Sequence, residues 1–331
     1  MRVIVHDKYG PPDTLELRDI GKAAPLDGEV LVRVHAAGLH VGDSFALRGR
    51  PLPIRLTTGL LKPKHGVPGF DVAGRVEAVG RAVTRFRPGD EVFGTCKGAC
   101  AEYVATAADH LVPKPARLTF DEAAAVPTSA LAALHALRDT ARLEPGRRVL
   151  INGASGGLGT FAVQLAVSFG AEVTGVCGTA NVDTVRSIGA HHVIDYTRQD
   201  FASGDHRYDV ILDNIENRSP AECRRALTPD GTLILNSGTR AGGLGGMVRL
   251  VRPLLLSPFI RQNLRRYVST PKSRDLAYLA DLLESGELSP VVGKTYPLSE
   301  TASALHHIET GHARGKTVIT LDVPDPGGAE E

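Results

Sequence analysis

VLINGASGGLGTFAVQLAVSFGAEVTGV, residues 149–176, decides the fold. Val149, Leu150 and Ile151 form a short apolar run of the buried-strand kind, and a glycine cluster (Gly153, Gly156, Gly157, Gly159) stops it. A helix follows at once: Phe161, Leu165 and Phe169 recur at helical spacing, Val163 and Val167 add apolar surface, and Gly170 stands where a C-cap glycine is expected. Residues 171–176 read as a second strand, and chirality makes it parallel to the first. Such a turn lets the backbone approach a pyrophosphate, whose charge is held by the free N–H groups and dipole of the helix start. Gly153, Gly156 and Gly159 are three apart, one residue more than G-x-G-x-x-G allows, so a turn that serves only packing is the alternative.

With 331 residues the chain has room for two domains and a well-buried core. Its net charge of +1 gives no electrostatic footprint for nucleic acid or an anionic membrane, so neither is expected as a partner. The opening MRVIV is strand-like, without a basic n-region, and the apolar stretches are interrupted before a membrane span is complete. Cys96, Cys100, Cys177 and Cys223 suggest free thiols in a reducing cytoplasm.

Residues 1–115 read as short strands punctuated by turns: VIV, EVLVRVHAAG, VAGRVEAVG, DEVFGT and AEYVAT. Val30, Val32 and Val34 alternate with Leu31, Arg33 and His35, and Pro88-Gly89-Asp90 is a turn, so a Greek-key-like or barrel-like module is expected. Residues 118–143 turn helical, with Asp121 and Glu122 favourable at a helix start and a second segment from Ser129 to Leu137 after Pro127. From Val149 onward strands VLIN, AEVTGV, HHVIDY, YDVILDN, GTLILNS and RRYVS alternate with helices, which predicts a six-stranded doubly wound sheet. The Gly- and Leu-rich segment 242–260 reads as a pocket lid or as core. A helix (LAYLADLLESG), a strand near Val291, a helix over 299–310 and a strand over 317–321 return to complete the first module, and 324–331 is a frayed end.

This arrangement resembles the medium-chain dehydrogenase/reductase superfamily over almost the whole chain. The matching residues are Ala36-Ala-Gly38 with Asp43, Gly69-Phe-Asp71-Val-Ala-Gly74, Pro88-Gly-Asp-Glu-Val-Phe-Gly94, Ala101-Glu-Tyr103 and Gly153-Ala-Ser-Gly-Gly-Leu-Gly159. The loop GASGGLG is similar to that of the zinc-independent quinone oxidoreductase branch, whose members transfer hydride from NADPH to conjugated carbonyls or quinones. The resemblance implies an α/β protein with a β-rich GroES-like catalytic domain (1–117 and 271–331) and a Rossmann domain with a doubly wound parallel sheet (118–270). It also implies a homodimer, for which edge strands are the available surface.

Catalytic zinc needs three N, S or O ligands and an open position. Where zinc alcohol dehydrogenases carry their ligands, this chain has His40, Phe70 followed by Asp71, and Pro127 to Ser129; Cys96 and Cys100 do not supply a four-cysteine lobe. No metal is expected. Hydride addition to an enone then produces an enolate that needs hydrogen-bond donors or a proton. His40, where the branch often has an asparagine facing the nicotinamide, is the first candidate, able to donate and to titrate near neutrality, with Asp43 beside it in the same motif. Phe45 replaces a tyrosine found in some relatives, and Lys64 and His65 are weaker candidates.

Ser155, Gly156, Gly157 and Leu158 form the cofactor loop that the resemblance implies. No acid follows in VCGTAN, the place where NAD enzymes carry one, so NADPH is expected over NADH. Thr179 and Asn181 are positioned to bond its 2′-phosphate, Tyr196 matches the branch's tyrosine at the adenosine phosphate, and Arg186 or Arg198 offers charge, although Ala180 and Val182 occupy slots that are basic in relatives. Asn214, Ser237 and Gly238 follow strands at their carboxyl ends, and Thr128 matches a helix start beneath the nicotinamide. The substrate pocket would draw on residues 40–50, 52–61 and 242–260 and take a small apolar carbonyl or quinone. Reversible alcohol oxidation, or a cofactor-binding scaffold with little catalysis, are the rival functions.

Overall fold

The computed structural model describes residues 1–236, 261–311 and 313–321. Ser237, Gly238, the segment 242–260 and the chain end 324–331 lie outside the described residues. Strands follow in the order β1 (Arg2–Val5), β2 (Glu16–Asp19), β3 (Glu29–Leu39), β4 (Asp71–Val79), β5 (Glu91–Thr95), β6 (Tyr103–Ala107), β7 (Leu111–Pro113), β8 (Arg148–Asn152), β9 (Glu172–Cys177), β10 (His192–Asp195), β11 (Tyr208–Asp213), β12 (Leu227–Leu235), β13 (Asn263–Arg265), β14 (Val292–Pro297) and β15 (Lys316–Thr320).

Two compact units result, one of Met1–Thr128, Pro271–Ser285 and Pro290–Glu331, the other of Ser129–Thr270 and Gly286–Ser289. Residues 118–128 thus belong to the first unit, not to the second as expected. The short helix Phe120–Ala124, opened by a Thr119–Glu122 capping box, packs on β3 and β4. Residues 286–289 move the other way, because Gln164 exchanges hydrogen bonds with the Ser289 backbone at 2.8 and 2.9 Å.

In the first unit a seven-stranded sheet runs β14-β15-β3-β4-β5-β7, with β6 also on β3. The eleven-residue β3 is its spine, pairing with β6 along its first half, β15 along its last, and β4 along most of its length. Val30, Val32 and Val34 are fully buried against Val72, Val92 and Ile319, as their alternation requires. β3 ends at Leu39 and the chain turns directly into the helix Val41–Arg48, which sequence reasoning did not foresee: its N-cap is His40, a residue type rarely read as a cap.

Among the described residues the second unit carries six strands, all parallel, in the order β10-β9-β8-β11-β12-β13. The winding reverses between β8 and β11, and the carboxyl ends of those strands flank the crevice where such sheets bind ligands. The helix Gly157–Ser168 buries Phe161, Val163 and Leu165 completely. Two elements differ from expectation. The sixth strand is Asn263–Arg265 rather than RRYVS, because Leu264 is the buried anchor while Val268 is exposed. The helix expected from Ser129 begins at Pro127, runs to Leu134 and continues as a π-helical stretch, His135–Ala141. No helix among the described residues is long and apolar enough to cross a membrane.

Candidate functional site

In the second unit the glycine turn is closed tightly on the sheet. The N–H groups of Gly153 and Ala154 both donate to the Val176 carbonyl, at 3.1 and 3.0 Å, which pins the loop to β9. Gly153 has φ +80°, and a Cβ there would meet the Ile215 side chain at 2.7 Å. A Cβ on Gly159 would collide with the Gly153 carbonyl oxygen, whereas one on Gly156 would meet only that oxygen, at 3.5 Å. Gly156 is the N-cap of the helix Gly157–Ser168, and no side chain caps the first turn. Beside the half-buried Ser155, the N–H groups of Gly157 and Leu158 are therefore left for an anion, and the turn fits a dinucleotide pyrophosphate.

At the end of β9, Thr179 opens a short turn, Thr179–Asn181. Its hydroxyl donates to Asp195 Oδ2 at 2.6 Å, and Asp195 Oδ1 accepts from the Thr197 N–H and hydroxyl at 3.0 and 2.8 Å. The Thr179 hydrogen bond holds the Asp195 carboxyl below the usual carboxylate range. Arg198 Nε lies 3.7 Å from the same carboxylate, and the exposed Tyr196 ring covers Gly178. The absence of an acid in VCGTAN is thus not the absence of an acid at this edge: β10 brings one alongside. A carboxylate suits ribose hydroxyls and opposes a 2′-phosphate, so the sequence argument for NADPH over NADH loses its premise.

The fully buried Asp213 ends β11 and accepts from Asn152 Nδ2 at 2.7 Å and from the Ile215 and Glu216 N–H groups at 3.2 and 2.9 Å. This braces the loop that carries Asn214. Asn214 Oδ1 accepts from Asn236 at 3.2 Å, while buried Asn214 Nδ2 has no partner among the described residues. A buried orphan donor is costly unless a ligand satisfies it.

The first unit assembles His40, Asp43, Asp71, Thr128 and Lys316. His40 Nδ1 accepts from the Gly42 N–H at 2.9 Å, which places the proton of a neutral ring on Nε2. Among the described residues buried Nε2 has no hydrogen-bond partner; Asp43 Oδ2 is 3.8 Å away and Phe70 stacks at 5.4 Å between centroids. Burial, reinforced by the Lys316 charge, pushes the His40 pKa down to about 3. The expectation that His40 titrates near neutrality is therefore corrected: it is a neutral donor.

Asp43 is buried, and both its oxygens are taken by backbone, Oδ2 by the His40 N–H at 2.9 Å and Oδ1 by the Gly69 N–H at 2.8 Å. Burial pushes its pKa up to about 7. Asp43, expected as catalytic, has both oxygens on backbone N–H groups and so braces the turn that carries His40. Asp71 Oδ1 accepts from the Thr128 N–H at 3.0 Å and from its hydroxyl, and Asp71 Oδ2 lies 3.4 Å from Lys316 Nζ. Asp71 and Lys316 are both almost wholly buried. Burial raises the Asp71 pKa, while Lys316 and Thr128 oppose the rise.

Lys316 escaped sequence reasoning because its partner is 245 residues distant. Asp195 had a signal, as the acid before the final tyrosine of HHVIDY, but its neighbour Thr179 belongs to another strand–turn. Cys96 and Cys100 are buried free thiols with pKa values raised by burial. Among the described residues no group of three or more His, Cys, Asp or Glu is placed to hold a metal ion. A cavity of about 400 Å³ at the amino-terminal end of β11, lined by Arg142, Glu144, Arg147 and Asp209 among others, lies away from the nucleotide turn.

The profile of the family described as "Alcohol dehydrogenase GroES-like domain" matches residues 26–116, and that described as "Zinc-binding dehydrogenase" matches residues 188–319. The quinone oxidoreductase of Sus scrofa is 33% identical over 94% of this chain and 94% of its own length. The mitochondrial NAD(P)H oxidoreductase RTN4IP1 of Danio rerio is 32% identical over 96% of this chain and 90% of its own. Among solved structures, the Escherichia coli quinone oxidoreductase complexed with NADPH superposes with a TM-score of 0.82 at 25% identity, over 97% of this chain and 100% of that one. A unit built on a parallel sheet and a β-rich unit matched by the GroES-like profile agree with this likeness. The chain belongs to the quinone oxidoreductase family of the medium-chain dehydrogenase/reductase superfamily and is an NAD(P)H-dependent oxidoreductase.

Proposed function

We propose that the protein is a zinc-independent reductase that transfers hydride to a quinone, enone or related conjugated carbonyl. The carrying observation is His40 Nε2–H, a buried donor with no partner among the described residues, on a ring that stays neutral. The reduced nicotinamide supplies the hydride when bound; what the chain adds is charge stabilisation. A neutral imidazole N–H steadies negative charge developing on the substrate oxygen without giving up its proton, and fixed donors of this kind cost no reorganisation during reaction. Asp43 holds the His40 backbone in place. Asp71, steadied by Lys316, orients Thr128, whose hydroxyl donates to Asp71 and so keeps its lone pairs for a ligand's N–H.

Zinc independence is supported by the same contacts: Asp71 is committed to Lys316 and Thr128, and His40 Nδ1 to Gly42. Thr179, Tyr196 and Arg198 favour NADPH while Asp195 opposes its 2′-phosphate, so we infer that NADH and NADPH both serve. A homodimer is proposed through the edge strand β13, and four buried free thiols suit the cytoplasm.

The test is to titrate the purified, metal-analysed protein with NADPH and with NADH, following nicotinamide fluorescence, and then add a quinone and an enone to each complex. Binding followed by oxidation on adding either acceptor is expected. Tight binding with no oxidation by either acceptor would overturn the reductase reading.

A further inference from the structure

Residues 44–70 contain five Lys or Arg residues and no Asp or Glu. The near-neutral total charge, on which the expectation of no membrane partner rests, hides this excess along the stretch, of which Arg48 is paired by Glu309 and Lys62 has Asp7 nearby. The same stretch exposes four leucines within ten residues: Leu52 at 67%, Leu56 at 72%, Leu60 at 67% and Leu61 at 94%. Leu52 and Leu56 are one helical turn apart on the continuous run formed by the turn Leu52–Ile54 and the helix Arg55–Thr58.

The backbone beneath them is held in place. The Tyr9 hydroxyl bonds Thr58 Oγ1 at 2.9 Å and donates to the Gly59 carbonyl, and the Lys64 N–H donates to the Thr58 carbonyl at 2.7 Å. Arg55 stacks over the Tyr9 ring at 4.5 Å and donates to the Gly49 carbonyl at 3.0 Å. Beside this run lies a hollow of about 360 Å³ lined by Tyr9, Gly10, Pro11, Arg48, Arg50 and Arg55, without an acid. Arg48 is held by Glu309 at 2.6 and 2.7 Å, and Arg50 is exposed.

We propose that this face docks the protein on a phospholipid bilayer with anionic headgroups, the arginine hollow taking a lipid phosphate and the leucines entering the acyl boundary. Cations alternating with exposed apolar side chains match the two layers such a surface offers, charge outside and hydrocarbon beneath. Arginine is the side chain suited to phosphate oxygens. A second copy of this chain is the poorer occupant, since a two-fold axis through the patch sets cations against cations. These leucines lie in the stretch 52–61 that the sequence assigns to the substrate pocket, and the proposal gives their exposed faces to the bilayer instead.

The experiment is co-sedimentation of the full chain with vesicles of phosphatidylcholine alone and of phosphatidylcholine mixed with phosphatidylserine, at low and high salt. Retention on the mixed vesicles only, weakened by salt, is expected. Lys62→Ala and Lys64→Ala should each lower partitioning about fivefold, and Leu61→Asp about tenfold or more, with thermal unfolding unchanged in all three. No retention of the wild type on mixed vesicles overturns the proposal, as does equal retention of the variants. Self-association abolished by Leu61→Asp, with no vesicle binding, also overturns it and makes the patch a self-association surface.

Discussion

Replacing His40 separates two jobs that one side chain performs. Its Nε2–H is the unpartnered donor, and its Nδ1 accepts the Gly42 N–H at the start of the helix Val41–Arg48. His40→Ala removes both. Loss of a fixed donor to a developing oxyanion costs about 2.7–4 kcal/mol, or about 100- to 1,000-fold in kcat. Loss of the cap costs about 1 kcal/mol of stability. His40→Asn keeps an N-cap acceptor and an amide donor, so it should restore the stability and recover part of kcat.

Stopped-flow oxidation of NADPH by a quinone reads the first effect, thermal unfolding the second, and NADPH affinity should not change in either variant. Burial holds the His40 pKa at about 3, below its unfolded value of about 6.5. The unfolded chain therefore binds the extra proton first, and the wild type should lose stability as pH falls from about 6.5 towards 3, with a shallower slope in His40→Asn, where His6, also lowered by burial, keeps its share. Across pH 6 to 8 kcat should show no histidine ionisation. Wild-type kcat in His40→Ala would refute the donor role. An apparent pKa of about 6.5 in kcat that disappears with the imidazole would refute the neutral ring.

Three further predictions follow from named contacts. Lys316→Met strands the Asp71 carboxylate in the interior and should cost about 3–5 kcal/mol, while Lys316→Met with Asp71→Asn should be near neutral. Because the folded Asp71 pKa is raised, the single-variant loss should be full at pH 8 and fade as pH falls towards about 4, read from urea midpoints. Asp195→Asn should raise the ratio of kcat/KM for NADPH over NADH about tenfold or more, and an unchanged ratio would remove Asp195 from cofactor choice. Gly159→Ala forces a Cβ onto the Gly153 carbonyl oxygen and should abolish the NADPH fluorescence titration, since the turn cannot close; an unaltered titration would show that the nucleotide does not use it.

The two fold types and most of the strands were legible from the chain because their signals are local. Val30, Val32 and Val34 declare a buried face by alternation alone, and the run from Val149 through Gly159 to Phe169 carries strand, turn and helix in contiguous residues. Asn214 was read for the same reason, as the residue leaving a strand at its carboxyl end. The helix after His40 was missed because its start signal is an imidazole, and β13 was displaced because Leu264 and Val268 are indistinguishable as apolar residues until the sheet buries one of them.

What the sequence determined by itself was therefore the element pattern, the glycine turn and the residue types around the site. Only the tertiary structure decided their chemistry. Asp71 and Lys316 meet across 245 residues, and Asp195 reaches Thr179 because β10 lies beside β9. His40 reads as a group that titrates near neutrality, and becomes a neutral donor once burial withdraws it from water. Hydrogen-bond partners and the desolvation of a charge depend on what surrounds a side chain in space, and residues distant in the chain supply those surroundings.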